Sequence, residues 1–448
     1  MAKTHLKKNN TLNNLAQRET SKLDKITGLF VGVDLGTSGC RLMVIDEQKK
    51  VQHQSSITYS NPDKQTPQLW WDSVSSLLKK IPAEIKPQLK SIAIDGTSGT
   101  LLLVDEEGNP SSSVLMYNDL RATREAEIIK RVMPEKNGGQ GASGSLARLM
   151  WLLKHELKQN HAHALHQADY ILGKLANNFS LSDENNCLKL GYDVVKQQWL
   201  DDELAQLGID KTLLPDVFPI GSPVAIIDPK EATRLGFPKN LQLVTGTTDS
   251  IGAFLATGAD KIGDAVTSLG STLVLKLISD KPIYSSRYGI YSHRFGDRWL
   301  VGGASNSGAK VLQHYFSQAQ LDEMTPALTS DSPTGLDYYP LINIGERFPV
   351  ADAQKQPQLS PRPESDVQFF QGILEGIACI EKQGYCKLQE LGAPKVSSIR
   401  SVGGGAKNKT WTSIRKHQLR LEMIEPEQTE AAYGTALLAL KGVAQEIN

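Results

Sequence analysis

The chain has 448 residues, of which 40% are hydrophobic and 22% charged, a composition typical of a folded protein with two or three domains and not of a disordered or fibrous one. Its 49 Lys and Arg residues equal its 49 Asp and Glu residues, so no net positive field draws it to nucleic acid or to an anionic membrane. Four cysteines without a C-x-x-C pair predict reduced thiols in a cytoplasmic protein.

Residues 1–27 contain lysines and asparagines but no apolar run. A secretory signal needs an apolar segment of roughly 7–15 residues, so we expect a solvated, disordered extension instead, with a transit peptide as the less favoured alternative. No other run approaches the roughly 18 apolar residues of a membrane span, and the sequence therefore predicts no membrane partner.

A β-meander is expected to open the ordered part of the chain. Apolar runs separated by short polar turns predict three strands, Leu29–Asp34, Cys40–Asp46 and Val51–Tyr59. Helical spacing follows around Trp70–Lys80, a buried strand at Ser91–Asp95 and a strand-like run at Val114–Tyr117. Strands alternating with helices predict an α/β unit with a mixed sheet.

The second half of the chain repeats this opening. Asp264–Leu269, the turn Gly270–Thr272 and Leu273–Ile278 again read as strand, glycine-hydroxyl turn and strand, and further strands are predicted at Tyr288–Phe295 and Trp299–Val301. The pattern then predicts four more elements: a helix at Phe369–Leu391, a strand at Ile399–Val402, a helix capped by Asn408, and a helix at Thr429–Gln445. A single long repeat indicates two related α/β domains facing each other.

Both glycine turns are suited to phosphate. Their backbone N–H groups and small hydroxyls can point at an anion, and glycine lets the backbone approach it closely. Asp34, at the end of the first strand, could hold Mg²⁺ through water, since Mg²⁺ favours one or two carboxylates plus substrate phosphates. Alternatively Gly36 and Gly39 only form a hairpin that Asp34 caps. Two matching turns and the glycine cluster Gly403–Ala406 favour a nucleotide held between the domains.

Asp249 is the candidate catalytic base. It follows an apolar strand and opens a helix of small residues, which is where α/β proteins carry catalytic groups, and in phosphoryl transfer an aspartate accepts the proton of the attacking hydroxyl. The alternative role, N-cap of that helix, is equally compatible with the segment. His161, His163 and His166 lack the companions of a metal site and are predicted to be solvated residues at a helix end.

These motifs resemble the FGGY family of carbohydrate kinases over nearly all of residues 29–445. Five segments carry the resemblance: Asp34–Gly39 and Ser268–Thr272 as the two phosphate motifs, Gly403–Asn408 as the adenosine motif, Gly246–Asp249 around the catalytic base, and Ser145–Trp151 as a family signature in which Arg148 replaces the usual lysine. Asp95–Thr100 stands where xylulose kinases have Met-His-Gly, and in this the chain resembles the compact D-ribulose kinases of cyanobacteria and plants.

The resemblance implies two actin-like (ribonuclease H-like) α/β domains with a nucleotide and sugar cleft between them. Residues 28–256 with 429–448 would form the sugar-binding domain and 257–428 the ATP-binding domain. It also implies site residues: Asp249 as catalytic base; Asp34, Ser98 and Asp249 at the sugar; Gly36, Thr37, Ser38, Gly270, Ser271, Gly404, Gly405, Ala406 and Asn408 at ATP; and Asp34 at Mg²⁺.

The predicted function is an ATP- and Mg²⁺-dependent kinase that phosphorylates the terminal hydroxyl of a ketopentose, D-ribulose before D-xylulose. The predicted partners are a small sugar and ATP, without nucleic acid or membrane, and no oligomeric state follows from the motifs. A rival from another class is an actin-like or chaperone-like ATPase without a sugar substrate. Sugar-stimulated release of ADP distinguishes the two.

Overall fold

The protein folds into two compact units, each with its own mixed β-sheet. The computed structural model describes residues 27–141, 144–156 and 160–446, so residues 1–26 of the predicted extension lie outside the described residues. The first unit comprises the described residues up to Met133, then Gly139–Ala256 and those from Glu430 onward. The second unit comprises Pro134–Gly138 and Thr257–Thr429.

The elements of the first unit, up to the point where the chain leaves it, are β1 (Leu29–Leu35), β2 (Gly39–Asp46), β3 (Val51–Thr58), α1 (Pro67–Lys79), β4 (Leu89–Gly96), β5 (Leu101–Val104), α2 (Thr123–Val132), α3 (Ser145–His155), β6 (His163–His166), α4 (Gln167–Ala176), β7 (Leu181–Asp183), α5 (Glu184–Leu188), α6 (Asp201–Gln206), β8 (Asp216–Phe218), β9 (Pro223–Ile226), α7 (Pro229–Leu235), β10 (Gln242–Thr248) and α8 (Asp249–Ala256).

The second unit contains β11 (Asp264–Leu269), β12 (Leu273–Ser279), β13 (Ser292–Phe295), β14 (Arg298–Ala304), α9 (Ala309–Tyr315), α10 (Gln318–Met324), α11 (Asp366–Glu390), β15 (Ser398–Val402), α12 (Lys409–Leu419) and β16 (Glu422–Ile424). The chain then returns to the first unit as α13 (Ala431–Glu446).

The first sheet has the strand order β3-β2-β1-β4-β10-β9. The strands β3, β2 and β1 form the predicted antiparallel meander, which is confirmed, and β1, β4 and β10 are parallel. Every residue of β1 is buried because helices cover both faces of the sheet, which explains a continuous apolar run instead of an alternating one. One face packs against α1 and α4, and α13 packs on the other.

The second sheet repeats this plan with the order β13-β14-β12-β11-β15-β16. Its strands β14, β12 and β11 are antiparallel, and β11, β15 and β16 are parallel. A meander followed by parallel strands therefore occurs in both units, as the repeat in the sequence predicts. None of the helices in the described ranges combines the length and the hydropathy that a membrane-spanning segment needs.

Two predicted strands differ in the structure. Val114–Tyr117 contributes only an isolated bridge between Leu115 and Leu101, because the chain turns at Tyr117. The strand predicted from Tyr288 begins at Ser292, since Ser286–Tyr288 forms a 3₁₀ turn that ends at Gly289 in the left-handed conformation. Apolar content suggested both strands, but local turns interrupt the pairing.

Candidate active site

The parallel strands of the first unit bring three acidic residues to one edge of the sheet. Asp34 is the sixth residue of β1, Asp95 is its neighbour in register on β4, and Asp249 directly follows β10. Because parallel strands end at the same edge, their carboxyl ends form the usual binding crevice of an α/β protein. The structure thus groups Asp34 and Asp249, as predicted, and adds Asp95.

Asp34 is a buried carboxylate that contacts the guanidinium of Arg41 and the carboxyl of Asp95. Its Oδ2 accepts a hydrogen bond at 3.3 Å from Arg41, whose guanidinium also pairs with Glu430 at 3.2 Å. Its Oδ1 is buried and accepts nothing from amide, guanidinium or hydroxyl groups of the described residues. Burial raises the pKa of Asp34, against the lowering effect of a hydrogen bond from Asp95 and of the Arg41 charge.

Asp95 lies beside Asp34 at the sheet edge, and the motifs assigned it no role. It is fully buried, and Thr435 on α13 donates a hydrogen bond to its Oδ2. Burial, followed by the negative charges of Asp34 and Asp249, raises its pKa well above the ordinary range. Its carboxyl also hydrogen-bonds to the carboxyl of Asp34. The sequence did contain a signal for Asp95, because its carboxylate follows the apolar run of β4, just as Asp34 follows that of β1.

Asp249 is the first residue of α8. Its Oδ1 accepts a hydrogen bond at 2.6 Å from the N–H of Ser250, and its carboxylate is half-buried. Two glycines permit this placement. A Cβ at Gly246 would lie 1.6 Å from the carbonyl oxygen of Ile94, and a Cβ at Gly252 would lie 2.5 Å from Oδ2 of Asp95. Glycine therefore lets β10 and α8 approach β4.

Ser98 lies in the turn that follows β4, at the same edge of the sheet. Its hydroxyl is half-buried and makes no hydrogen bond within the described part of the chain, so it is available to a ligand. Arg148 holds the turn from behind, donating at 2.9 Å to the carbonyl of Gly99 and at 2.6 Å to the carbonyl of Tyr117. Arg148 is completely buried and thus acts on the backbone of the site.

The turn between β1 and β2 exposes the predicted phosphate ligands. The N–H of Gly36 is bonded to the carbonyl of Gly39 at 2.9 Å, which closes the turn. Thr37 is half-buried and Ser38 exposed, and their hydroxyls have no partner among the residues that the structure describes. A Cβ at Gly36 would meet no protein atom nearer than 3.5 Å, and its φ is not positive, so packing does not explain this glycine.

The second unit contains the same kind of turn. Gly270 and Ser271 join β11 to β12, and a Cβ at Gly270 would have no neighbour within 3.7 Å. The exposed hydroxyl of Ser271 is unpartnered in the described ranges, while its carbonyl accepts from Lys310 at 3.2 Å. Gly36 and Gly270 thus occupy corresponding turns of the two units. At neither residue does protein packing or backbone conformation require glycine.

A pocket of about 710 Å³ in the second unit contains most of the predicted nucleotide residues. Gly270, Ser271, Gly404, Gly405 and Asn408 line it, together with side chains of α9, α10 and α11. A Cβ at Gly405 would lie 2.3 Å from the Trp411 ring, so glycine lets the turn lie on the indole.

Asn408 is confirmed as the N-cap of α12. Its Oδ1 accepts a hydrogen bond at 2.9 Å from the N–H of Trp411. Ala406, also predicted at the nucleotide, packs against the core of the second unit. Its N–H is bonded to the carbonyl of Gly403 at 3.1 Å. The predicted adenosine motif therefore contributes Gly404, Gly405 and Asn408 to the pocket, and also Lys407, which was not predicted there, whereas Ala406 does not line it.

Several characterised proteins match the chain along nearly its whole length. A xylulose kinase from Staphylococcus xylosus is 23% identical over 440 residues, which span 92% of this chain and 90% of that protein. The structure of a xylulose kinase from Rhodospirillum rubrum superposes with a TM-score of 0.80 at 20% identity, covering 93% and 90% of the two chains. The structure of a gluconate kinase from Lactobacillus acidophilus superposes with a TM-score of 0.82 at 16% sequence identity, covering 94% of this chain and 90% of that one.

The fold is that of the two-domain α/β sugar kinases, with a mixed sheet in each domain. The chain belongs to the FGGY family of carbohydrate kinases: the N-terminal domain of the family matches residues 29–256 and the C-terminal domain matches residues 265–443. It is accordingly a carbohydrate kinase that uses ATP and a small sugar, and not the ATPase without a sugar substrate that the motifs left open.

Proposed function

We propose that the protein phosphorylates the terminal hydroxyl of a ketopentose, with D-ribulose giving D-ribulose 5-phosphate as the principal reaction. The turn after β4 supports this choice, because Asp95–Thr100 resembles the compact D-ribulose kinases and presents the free hydroxyl of Ser98. D-Xylulose is the second candidate, favoured by relatives that are named xylulose kinases.

In the proposed reaction Asp249 accepts the proton of the sugar hydroxyl. The hydroxyl oxygen then forms a bond to the γ-phosphorus of ATP, while the bond from that phosphorus to the β,γ-bridging oxygen breaks and ADP leaves. Asp34 and Ser98 orient the sugar. The turns at Thr37 and Ser271 bind phosphate oxygens through N–H and hydroxyl groups, and the pocket of the second unit takes the adenosine.

The two unexplained glycines carry this proposal. Gly36 and Gly270 occupy matching turns, have no positive φ and would meet no close protein atom as alanine. A group outside the protein that approaches the backbone on this side would account for glycine in both turns. A phosphate chain accounts for both turns and for the free hydroxyls beside them.

Mg²⁺ fits the residues at the end of β1. The buried Oδ1 of Asp34 accepts nothing from amide, guanidinium or hydroxyl groups of the described residues, so beside its contact with Asp95 this carboxylate can offer a lone pair to a cation or its bound water. Mg²⁺ commonly takes one or two carboxylates and completes its shell with water and substrate phosphates, so a single aspartate is sufficient. Asp34 would hold the ion, which would neutralise charge on the phosphates. The described residues contain no group of three or more metal-binding side chains.

The test is ADP release measured with a panel of pentuloses, in the wild type and in Asp249→Asn. The wild type should release ADP most efficiently with D-ribulose. Asp249→Asn should lower sugar-dependent turnover by about 10²- to 10⁴-fold, the usual contribution of a positioned base, while ATP binding stays within about 2-fold.

Asp366→Asn is the matched control, since Asp366 is likewise the first residue of a helix, α11. It should keep wild-type turnover. Near-full activity of Asp249→Asn would remove Asp249 as the base. Highest kcat/KM with D-xylulose would replace D-ribulose by the second candidate, and ADP release that no pentulose stimulates would overturn the proposed substrate class.

A further inference from the structure

The phosphate turn and the sugar turn of the first unit are joined by a chain of buried side chains. The phosphate turn is the segment Gly36–Ser38, and the sugar turn is Thr97–Thr100. Between them lie two glutamines, Gln65 and Gln167, which are 7% and 0% exposed. Neither glutamine belongs to a motif of the family resemblance, and the proposed reaction assigns neither a role.

Gln65 holds the phosphate turn through its backbone. Its Nε2 donates to the carbonyl of Thr37 at 2.8 Å and, more weakly, to the carbonyl of Pro62 at 3.3 Å. Its Oε1 accepts from the indole Nε1 of Trp70 at 2.7 Å. Because an indole N–H only donates and a carbonyl only accepts, the amide of Gln65 has one possible orientation.

Gln167, the first residue of α4, holds the sugar turn in the same way. Its Oε1 accepts from the N–H of Thr97 at 2.9 Å and from the Thr97 hydroxyl at 2.8 Å. The backbone N–H fixes the orientation of this amide, which leaves Nε2 to donate to Oε1 of Gln65 at 3.4 Å. This longest link connects the two turns.

The series of hydrogen bonds extends beyond Thr97, and in each of them the donor lies on the side of Tyr117 and the acceptor on the side of Thr37. The Thr97 hydroxyl gives its proton to Gln167, so it accepts from the hydroxyl of Thr100 at 2.6 Å. The Thr100 oxygen in turn accepts from the N–H of Tyr117 at 3.0 Å. Proton donation therefore runs from Tyr117 to Thr37 without a reversal, and hydrogen bonds ordered in this manner polarise and strengthen one another.

We propose that Gln65 and Gln167 are positioning residues that couple occupancy of the sugar turn to the position of the phosphate turn. A sugar that contacts Ser98 restricts Thr97 and Thr100 on either side of it. The buried amides, each with one orientation, transmit that restriction to the carbonyl of Thr37 and hence to the N–H groups of its turn. The inference rests on the proposed function, which places the sugar at Ser98 and phosphate at Thr37.

Coupling of this kind is measured as a ratio of affinities. The dissociation constant of the ATP analogue with an imido group between the β- and γ-phosphates is determined with Mg²⁺, in the presence and absence of saturating D-ribulose. We expect D-ribulose to tighten analogue binding by about 5-fold or more in the wild type, the lower end of common coupling between sites. Gln167→Met and Gln65→Met, which keep side-chain volume, should bring this ratio to within about 2-fold of unity.

The double variant provides a second measure. The loss of one hydrogen bond already interrupts the series between the two turns. The double variant Gln65→Met with Gln167→Met should therefore reduce the ratio no further than either single change. Ser91→Ala is the matched control: it removes a buried hydrogen bond, from Ser91 to the carbonyl of Ala439 at 2.7 Å, at the other end of β4. It should lower the melting temperature and keep the wild-type ratio.

Each outcome bears on the proposal. A wild-type ratio near 1 with both D-ribulose and D-xylulose, when at least one of them stimulates ADP release, would overturn it. So would a Gln167→Met protein that melts earlier but retains the wild-type ratio, since the glutamine would then only stabilise the fold. Failure of the proposed function is separately visible, because D-ribulose and D-xylulose would then neither bind nor stimulate ADP release in the wild type.

Discussion

The three acidic side chains at the sheet edge have different environments and hence different chemistry. Asp249 is half-buried and accessible, which suits a group that must exchange a proton with substrate. Asp95 is enclosed, and burial favours its neutral form. Asp34 is buried as well, but it is hydrogen-bonded to the guanidinium of Arg41 and to the carboxyl of Asp95. Three residues of one type thus differ in environment, which is what the roles proposed for Asp34 and Asp249 require.

Ser98→Ala should weaken the use of pentulose and leave ATP binding unchanged. The Ser98 hydroxyl bonds to nothing else within the described ranges, so its loss removes only a contact with the sugar. An unpaired sugar hydroxyl costs about 1–3 kcal/mol, which corresponds to a fall of about 5- to 150-fold in kcat/KM. Steady-state kinetics with D-ribulose and D-xylulose checks the expectation.

Melting temperatures of the same two proteins serve as the control. Because the hydroxyl supports no other group of the turn, Ser98→Ala should melt within a few degrees of the wild type. Unchanged kinetic constants for both sugars, accompanied by a clear loss of thermal stability, would instead make Ser98 a residue of the turn alone.

Candidate site residues could be predicted where a polar residue directly follows an apolar, strand-like run in the sequence. Asp34 and Asp249 each end a clear apolar run, and the structure brings them to one edge. Gln65 and Gln167 could not be found, because they meet through tertiary packing between segments about 100 residues apart. His166 was wrongly predicted as solvated: it is fully buried, bonded to Asp169 and Ser145, since its helix begins in the core.

At the level of elements, alanine substitutions at Gly36 and Gly270 separate the effect of these glycines on stability from their effect on activity. Gly36→Ala and Gly270→Ala should leave stability unchanged or raise it by about 0.4–1 kcal/mol, since both backbones accept a Cβ. Kinase activity should fall by roughly 100-fold, because the methyl group displaces the phosphate by about 1 Å. Melting curves and ADP release test the two halves of this expectation.

Gly39→Ala is the contrasting variant from the same turn. A Cβ at Gly39 would lie 2.2 Å from the carbonyl oxygen of Ile57, so β2 and β3 would have to separate. We expect a loss of about 1–3 kcal/mol in stability. A Gly36→Ala protein as unstable as Gly39→Ala, or one that retains full activity, would contradict the assignment of the turn to phosphate.

The strand pair β11 and β15 should make the second unit sensitive to acid. Asp264 accepts from the hydroxyl of Ser398 at 2.8 Å and pairs with Arg400 at 3.3 Å. Burial acts to raise the pKa of Asp264, but these interactions and two backbone N–H groups outweigh it and lower the pKa below its ordinary value. The folded protein therefore binds fewer protons at Asp264 than the unfolded chain.

The stabilisation from Asp264 is consequently complete above about pH 4, the ordinary range of an aspartate, and is lost as the pH falls through the lower folded value. Denaturant unfolding between pH 6 and pH 2.5 should show a smaller decline of unfolding free energy in Asp264→Asn than in the wild type. Equal pH slopes in the two proteins would show that Asp264 titrates normally.

Elements were predictable where periodicity and caps agree. The helix after the glycine cluster and its cap Asn408 are as predicted, because the cap and the apolar spacing lie within one short segment. Val114–Tyr117 has the composition of a strand, but β5 pairs with the distant β6, which leaves this segment a single bridge. Strand pairing depends on partners that local composition does not show.

On the scale of the whole molecule, the first unit is completed by a helix that follows the second unit in the chain. The helix α13 covers β1, β2, β4 and β10 with small and apolar side chains. Contact is so close that a Cβ at Gly32 would lie 2.0 Å from the carbonyl oxygen of Ala432 and 2.2 Å from the nitrogen of Ala436.

Ala436→Leu should therefore loosen the first unit selectively. The larger side chain overpacks a fully buried position, at a cost of about 1–3 kcal/mol. Hydrogen exchange should accelerate at the amides of β1 and β4, while β11 and β15 in the same molecules serve as an internal control and keep their protection. Uniform acceleration in both sheets would contradict independent packing of α13 on the first.

The late position of α13 has a consequence for protein synthesis. A ribosome adding about 5–20 residues per second reaches Ala431 roughly 20–80 s after it has made β1. During that interval the nascent meander has one apolar face, with Phe30, Met43 and Ile45, that its own helix cannot yet cover. A growing chain in this state is a natural client for ribosome-associated chaperones, and the first domain to be translated is the last to finish folding.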